Sequence, residues 1–269
     1  MPKNRTYPVY VHLGLERTGT KYLQHTVLPA LKGIFFVPRR QYWKMESFVP
    51  DSNDLPVVVS NEFDWMLDFE IKDFARRYPE AHPIFVLREH PSWLVSQFKR
   101  FVKNGGQLSF EEFFDPDSDQ GRYEYKDMCF ALKIHWLLKH FKHPPLILFY
   151  EDLKHNRKKY LDTLCAHIGA EYPDDLLGSK ARHVSYSERE LAFLLSFQRG
   201  PFGNFISRQK LLRYFLMFLA RTFPFLAKKK PPLIPEGSLK RIQLKMSKDW
   251  EECLVLAEEL NPKSIPENL

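Results

Sequence analysis

Cysteine is scarce in this chain and poorly placed for cross-linking. Cys129, Cys165 and Cys253 are odd in number, far apart and outside any CxxC pairing. That excludes a disulfide framework and a zinc knuckle, and the three read as reduced core thiols. Internal repeats and low-complexity tracts are also missing. So is any run apolar enough to span a bilayer, since residues 211–226 carry Arg213 and Arg221 and are interrupted by Pro224. The first residues pass from a polar start at Met1 to Thr6 directly into an apolar strand, without an apolar h-region or a small-residue cleavage site. The expected location is therefore cytoplasmic, or peripheral to the inner face of a membrane.

What is present suits one sizeable core with an appended subdomain: 269 residues, of which 44% are hydrophobic. The formal net charge of +7 favours an anionic cofactor, an acidic substrate or an anionic surface, although a solvated basic exterior accounts for it equally well. No nucleic-acid recognition module is visible and the basic residues are spread along the chain, so nucleic acid is discounted.

Four apolar runs read as buried strands: Val9 to Leu13, Leu55 to Ser60, Pro83 to Leu87 and Pro145 to Tyr150. Each is separated from the next by enough residues for a helical crossover, which predicts a parallel α/β sheet flanked by helices. Helical periodicity covers Phe69 to Tyr78, Pro91 to Asn104 and Tyr125 to Phe141. After about Ser185 only helices are expected, at Ser187 to Gln198, Ser207 to Ala227 and Ser238 to Glu259. The expected organisation is a core over residues 1–185 and a helical extension over residues 186–269.

The densest chemistry lies in VYVHLGLERTGTKYLQ, Val9 to Gln24. A strand breaks into a turn with two glycines and two threonines, then becomes an amphipathic helix. Backbone N–H groups freed at a helix start hold phosphate or sulfate, and Arg17 and Lys21 add cations. The segment nearly fits GxxxxGK[ST], but Thr20 stands where the lysine of an ordinary nucleoside-triphosphate loop belongs. Arg17, Glu62, Arg88 and Tyr150 all fall just past strand ends, where open parallel sheets bind ligands. Eight residues beyond Arg88, Ser96 lies on the following helix, and Arg88 with Ser96 makes a second candidate phosphate site.

The glycine and threonine turn, the run R-x-x-P-x-x-x-x-S over residues 88–96 and the signature Tyr150-Glu151-Asp152-Leu153 occur in that order. Together they resemble the sulfotransferases that use 3′-phosphoadenosine 5′-phosphosulfate (PAPS), over roughly residues 7–185, and look closest to bacterial members whose first motif reads HIGLPKTGTTSLQ. The resemblance implies a P-loop nucleoside-triphosphatase-like fold, PAPS as cofactor with no metal, and a hydroxyl of a carbohydrate or glycolipid as acceptor. It implies that Arg17, Thr18, Gly19, Thr20 and Lys21 bind the 5′-phosphosulfate and that Tyr22 stacks near adenine. It further implies that Arg88 and Ser96 bind the 3′-phosphate and that Tyr150 contacts the adenine side. Arg17 replaces the family's usual lysine and Lys21 its usual threonine or serine. Arginine stabilises charge on a leaving oxygen but does not readily give up a proton.

Arg17 is thus a candidate catalytic residue, and for the base the candidates are Glu62 in VVVSNEF and, second, His90. A helix-capping or solvated role suits Glu62 equally, and His90 also serves to shape the turn at Pro91. His12, inside the first strand, reads as a satisfied core histidine. Cys129, His135, His140 and His143 scatter around a helix instead of forming a metal site. Residues 207–230, ending in Lys228, Lys229 and Lys230, suit contact with an anionic membrane surface, or else a helix packed on the sheet or on a second subunit. Two other function classes stay open: a kinase using ATP and magnesium, with Glu151 and Asp152 near the metal, and a catalytically weak nucleotide-binding interaction protein.

Overall fold

Strands whose residues are apolar on both sides must be covered on both faces, and this requirement shapes the protein. The computed structural model describes residues 7–63, 66–178, 186–227 and 232–261. Five strands, β1 (Val9–His12), β2 (Phe35–Val37), β3 (Val57–Ser60), β4 (His82–Leu87) and β5 (Leu146–Phe149), form one sheet in the order β2-β3-β1-β4-β5. Every pairing is parallel, with Val11 opposite Val59 on one side and Pro83 on the other. On one face Tyr10, Val58, Ile84, Val86 and Leu148 pack with Leu23, Val27, Leu161, Leu164 and Ile168. The helices Leu67–Arg77 and Phe130–His140 lie in contact with one another and contribute Phe74, Ile71, Ile134 and Leu137, all buried, to the same unit.

The four expected strands are present, and β2 is additional. It is a three-residue edge strand within the apolar stretch Ile34 to Val37, half-exposed at Phe35 and Phe36 and shorter than its neighbours. The chain leaves β1 for this far edge, returns through β3, and then crosses to β4 and β5. Its direction of winding thus reverses at β1, and the carboxyl ends of β1 and β4 border the switch point where such sheets hold ligands.

The single helix expected over Tyr125 to Phe141 is two, Tyr125–Met128 and Phe130–His140, broken at Cys129. A remote carboxylate causes the break: Asp249 accepts from the amides of Phe130 (2.9 Å) and Ala131 (3.2 Å), capping a new helix start. The helix expected over Ser207 to Ala227 is likewise three pieces, Gly203–Arg208, Lys210–Thr222 and Pro224–Ala227. The run Lys228 to Lys230 lies outside the described residues.

The chain forms two compact units interleaved along the sequence. One comprises residues 1–89, 129–182 and 248–269, the other residues 90–128 and 183–247. The helix Ser238–Leu260 therefore gives its last turns to the sheet unit. There Trp250 packs edge-on against Phe149. Asn261 donates to the Ile147 carbonyl (2.7 Å) and accepts from its amide (2.8 Å), closing the open side of the edge strand β5 with a side-chain amide.

Within the second unit, the helix Glu188–Gln198 starts at a capping box in which Ser187 and Glu190 satisfy each other's amides. Gln198 donates to the Val102 carbonyl at 3.0 Å near the end of the helix His90–Lys103. Gly105, at φ 105°, sits where a Cβ would come within 2.3 Å of the Ser207 carbonyl oxygen, so only glycine fits this close approach.

Candidate active site at the carboxyl ends of β1 and β4

The loop after β1 is shaped by two residues with positive φ. Gly19 has φ 90°, and a Cβ there would lie 2.8 Å from Leu153 Cδ2. Arg17 has φ 69°, an uncommon conformation for a residue with a side chain and one that concentrates at functional sites. The buried hydroxyls of Thr18 (2.7 Å) and Thr20 (3.2 Å) both donate to the Leu15 carbonyl, tightening the loop from within. Residues 20–30 are helical, and the amides of Tyr22 and Leu23 both turn back to the Gly19 carbonyl. The first-turn amides ahead of them have no carbonyl earlier in the helix to meet, the arrangement that binds anions.

Arg88, just past β4, braces this loop. Its Nη1 donates to the Arg17 carbonyl (3.1 Å), and its guanidinium lies 4.4 Å from the centre of the Tyr150 ring. Tyr150 opens the short helix after β5 and reaches Gly19, whose added Cβ would be 3.3 Å from the ring. Glu151 accepts from the Glu89 amide (3.2 Å) and so fixes the backbone beside Arg88. Burial lowers the proton affinity of both Arg17 and Arg88. Glu62 and Tyr150 oppose that fall at Arg17; Tyr150 and Glu151 oppose it at Arg88, where the Arg17 charge adds to the lowering. Two half-buried guanidiniums thus stand close enough to repel each other, a disposition that favours an anion of more than one charge.

Glu62 has its side chain 8% exposed and accepts from Arg39 Nη1 at 2.8 Å. It is therefore an oriented carboxylate held between Arg39 and the field of Arg17. Lys21 is exposed. Tyr22 is held away from solvent by a hydroxyl bond to the Leu176 carbonyl (3.3 Å), and Arg157 stands 5.3 Å from its ring centre. The structure therefore gathers Arg17, Thr18, Gly19, Thr20, Arg88, Tyr150 and Glu62 around one loop in the sheet unit. The other two candidates belong to the second unit: Ser96 is buried there, and His90 is buried with its Nε2 donating to the Met128 carbonyl at 2.9 Å.

Beneath the loop lies a buried polar group of His12, Ser60 and Gln24. His12 is fully buried; its Nδ1 is 2.8 Å from Ser60 Oγ, to which Gln24 also donates at 3.1 Å. Its Nε2 has no hydrogen-bond partner and lies against Gly14, where an added Cβ would be 2.3 Å away. Burial holds this imidazole at about 4, well below its usual 6.5, so it is neutral at physiological pH. Arg39 and Arg157 gave no signal, because nothing local in their sequence announces a partner 23 residues away for one and, for the other, an aromatic ring from the first loop.

No family model matches the chain. A stretch of 78 residues, 29% of this chain, is 32% identical to Sulfotransferase 1A1 of Rattus norvegicus, and the match spans 25% of that protein. Among solved structures, a sulfotransferase from Alicyclobacillus acidocaldarius aligns over 71% of this chain and 92% of its own, at 16% identity and a TM-score of 0.49. Mouse sulfotransferase SULT7A1 complexed with PAP aligns over 82% of this chain and 87% of its own, at 16% identity and a TM-score of 0.42. The curated relative carries the same family name as the resemblance in the motifs, over about a quarter of its own length.

Proposed function

We propose that this chain is a PAPS-dependent sulfotransferase that moves a sulfuryl group to a hydroxyl of a carbohydrate or glycolipid. The observation that carries the reading is the pair Arg17 and Arg88, two half-buried cations brought together where Arg88, past β4, donates to the Arg17 carbonyl of the glycine-shaped loop after β1. A ligand bearing several anionic groups relieves their repulsion, and the residues present suit one: two guanidiniums, the first-turn amides after Gly19 and the Tyr150 ring. When bound, the cofactor supplies the activated sulfuryl group and a phosphate leaving group.

The remaining chemistry is the chain's own. Arg17 and the loop amides hold the 5′ end and stabilise charge on the leaving oxygen without moving a proton, while Arg88 holds charge nearer Tyr150. Glu62 accepts the proton of the acceptor hydroxyl, with Arg39 fixing its orientation. A kinase is the weaker reading, because Glu151 is turned to the Glu89 amide and the loop has Thr20 in place of the lysine. A lipid-linked acceptor also asks that the chain reach a bilayer surface, for which residues 207–230 are the candidate segment.

The test is transfer of labelled sulfuryl from PAPS to a panel of oligosaccharides and glycolipids. Wild-type protein should label an acceptor hydroxyl. Glu62→Gln should retain 3′,5′-bisphosphoadenosine binding and lose on the order of 10²- to 10⁴-fold in turnover. Unchanged turnover removes Glu62 as the base, and nucleotide binding without transfer to any acceptor makes the protein a binding module.

A further inference from the structure

The helix Lys210–Thr222 in the second unit buries Leu216, Met217 and Ala220 on one face and yet leaves a second apolar face in water. Arg213 is buried, with Nε donating to the Lys103 carbonyl at 3.0 Å and Nη1 to the Ser207 carbonyl. On the outer side Leu211 is 85% exposed, Phe215 54% and Phe218 59%. Their spacing of four and three residues puts them in one stripe along the helix. The stripe continues at its end into exposed Phe223 and Phe225, and the preceding turns expose Phe202 and Phe205. A monomeric protein seldom leaves so many large apolar side chains together in water.

Charge identifies what covers them. Residues 191–235 contain eight lysines and arginines and no aspartate or glutamate. Arg199 and Arg221 pair with Glu112 and Glu190 of the same unit. Arg208 and Lys210, both exposed, stand at the start of the stripe, and the sequence places Lys228, Lys229 and Lys230 just after it. Cations flanking an apolar helical stripe complement the headgroups and acyl boundary of an anionic bilayer. No helix among the described residues is long and apolar enough to cross a membrane, so the contact is in the plane of the surface.

We infer that the second unit docks on an anionic lipid surface through Leu211, Phe215 and Phe218, with Arg208 and Lys210 on the headgroups. The inference stands on this helix alone and does not depend on the reaction assigned to the loop after β1. Flotation with phosphatidylglycerol vesicles and with phosphatidylcholine vesicles tests it, with 3′,5′-bisphosphoadenosine binding measured on the same protein. Wild-type protein should float with the anionic vesicles, less at high salt. The triple variant Leu211→Gln, Phe215→Gln, Phe218→Gln should lose on the order of a hundredfold in partition while its nucleotide affinity and circular dichroism stay unchanged. Absence of binding to anionic vesicles overturns the inference, as does a variant that binds them as wild type does. A wild-type dimer that the variant dissociates, with no vesicle binding by either, gives the face to a second copy and overturns it too.

Discussion

The two units place their arginines differently. In the sheet unit Arg17 and Arg88 gather at the strand ends, where Arg88 is restrained by the Arg17 carbonyl and the Tyr150 ring. In the helical unit an arginine, Arg213, is buried beside Leu216, Met217 and Ala220, while three large apolar residues of the same helix are outside. Ordinary folding explains neither arrangement, because half-buried like charges repel and exposed phenylalanine gains nothing from water. On the readings proposed above, each departure marks a surface for a partner: a compact polyanion at the loop, an extended anionic surface at the helix.

The largest expected effect breaks the first half of that contrast. Arg17→Ala should lower sulfuryl transfer on the order of 10²- to 10³-fold, since in the proposed mechanism it removes the cation that stabilises the leaving oxygen, and should leave vesicle binding intact. Steady-state kinetics and flotation of one preparation check both, and a parallel loss in both assays would mean that the variant disturbs the whole fold.

Next in size is the pH response of the layer beneath the loop. His12 is neutral in the fold and titrates at about 4 there, against 6.5 when unfolded. Its contribution to stability is complete above pH 6.5 and is lost as pH falls toward 4, by about 3 kcal/mol. His167 is also held at about 4 and behaves in the same direction, so the informative quantity is the difference between wild type and His12→Asn. Urea unfolding of both proteins across that window should give curves that converge at low pH, whereas parallel curves would contradict the assignment.

The smallest effect belongs to the helical unit. Arg213→Leu strands the Lys103 and Ser207 carbonyls and should cost about 1–3 kcal/mol of stability in a thermal melt. A neutral or stabilising outcome would mean that the buried arginine has no part in presenting the exposed stripe.

These contrasts also separate what could be read from the sequence from what could not. Four strands were legible because a buried parallel strand is a continuous apolar run, and the loop was legible because its glycines, threonines and cations are consecutive. The edge strand β2 was not, being short and half-exposed. The break at Cys129 depends on Asp249, 119 residues from the amide of Phe130 that it caps, and the placement of residues 248–261 in the sheet unit depends on Asn261 meeting β5. Of the site, Arg17, Arg88, Tyr150 and Glu62 announced themselves by following strands. Arg39 and the His12, Ser60 and Gln24 group did not, because their partners are set by tertiary contact.

The most direct measurement is calorimetric titration in the absence of magnesium, comparing 3′,5′-bisphosphoadenosine with ATP and with adenosine 5′-phosphate. A site built from Arg17 and Arg88 predicts clear preference for the bisphosphate, and predicts that Arg88→Ala weakens it far more than it weakens adenosine 5′-phosphate. Preference for ATP, or equal losses for both adenylates in the variant, would contradict the account.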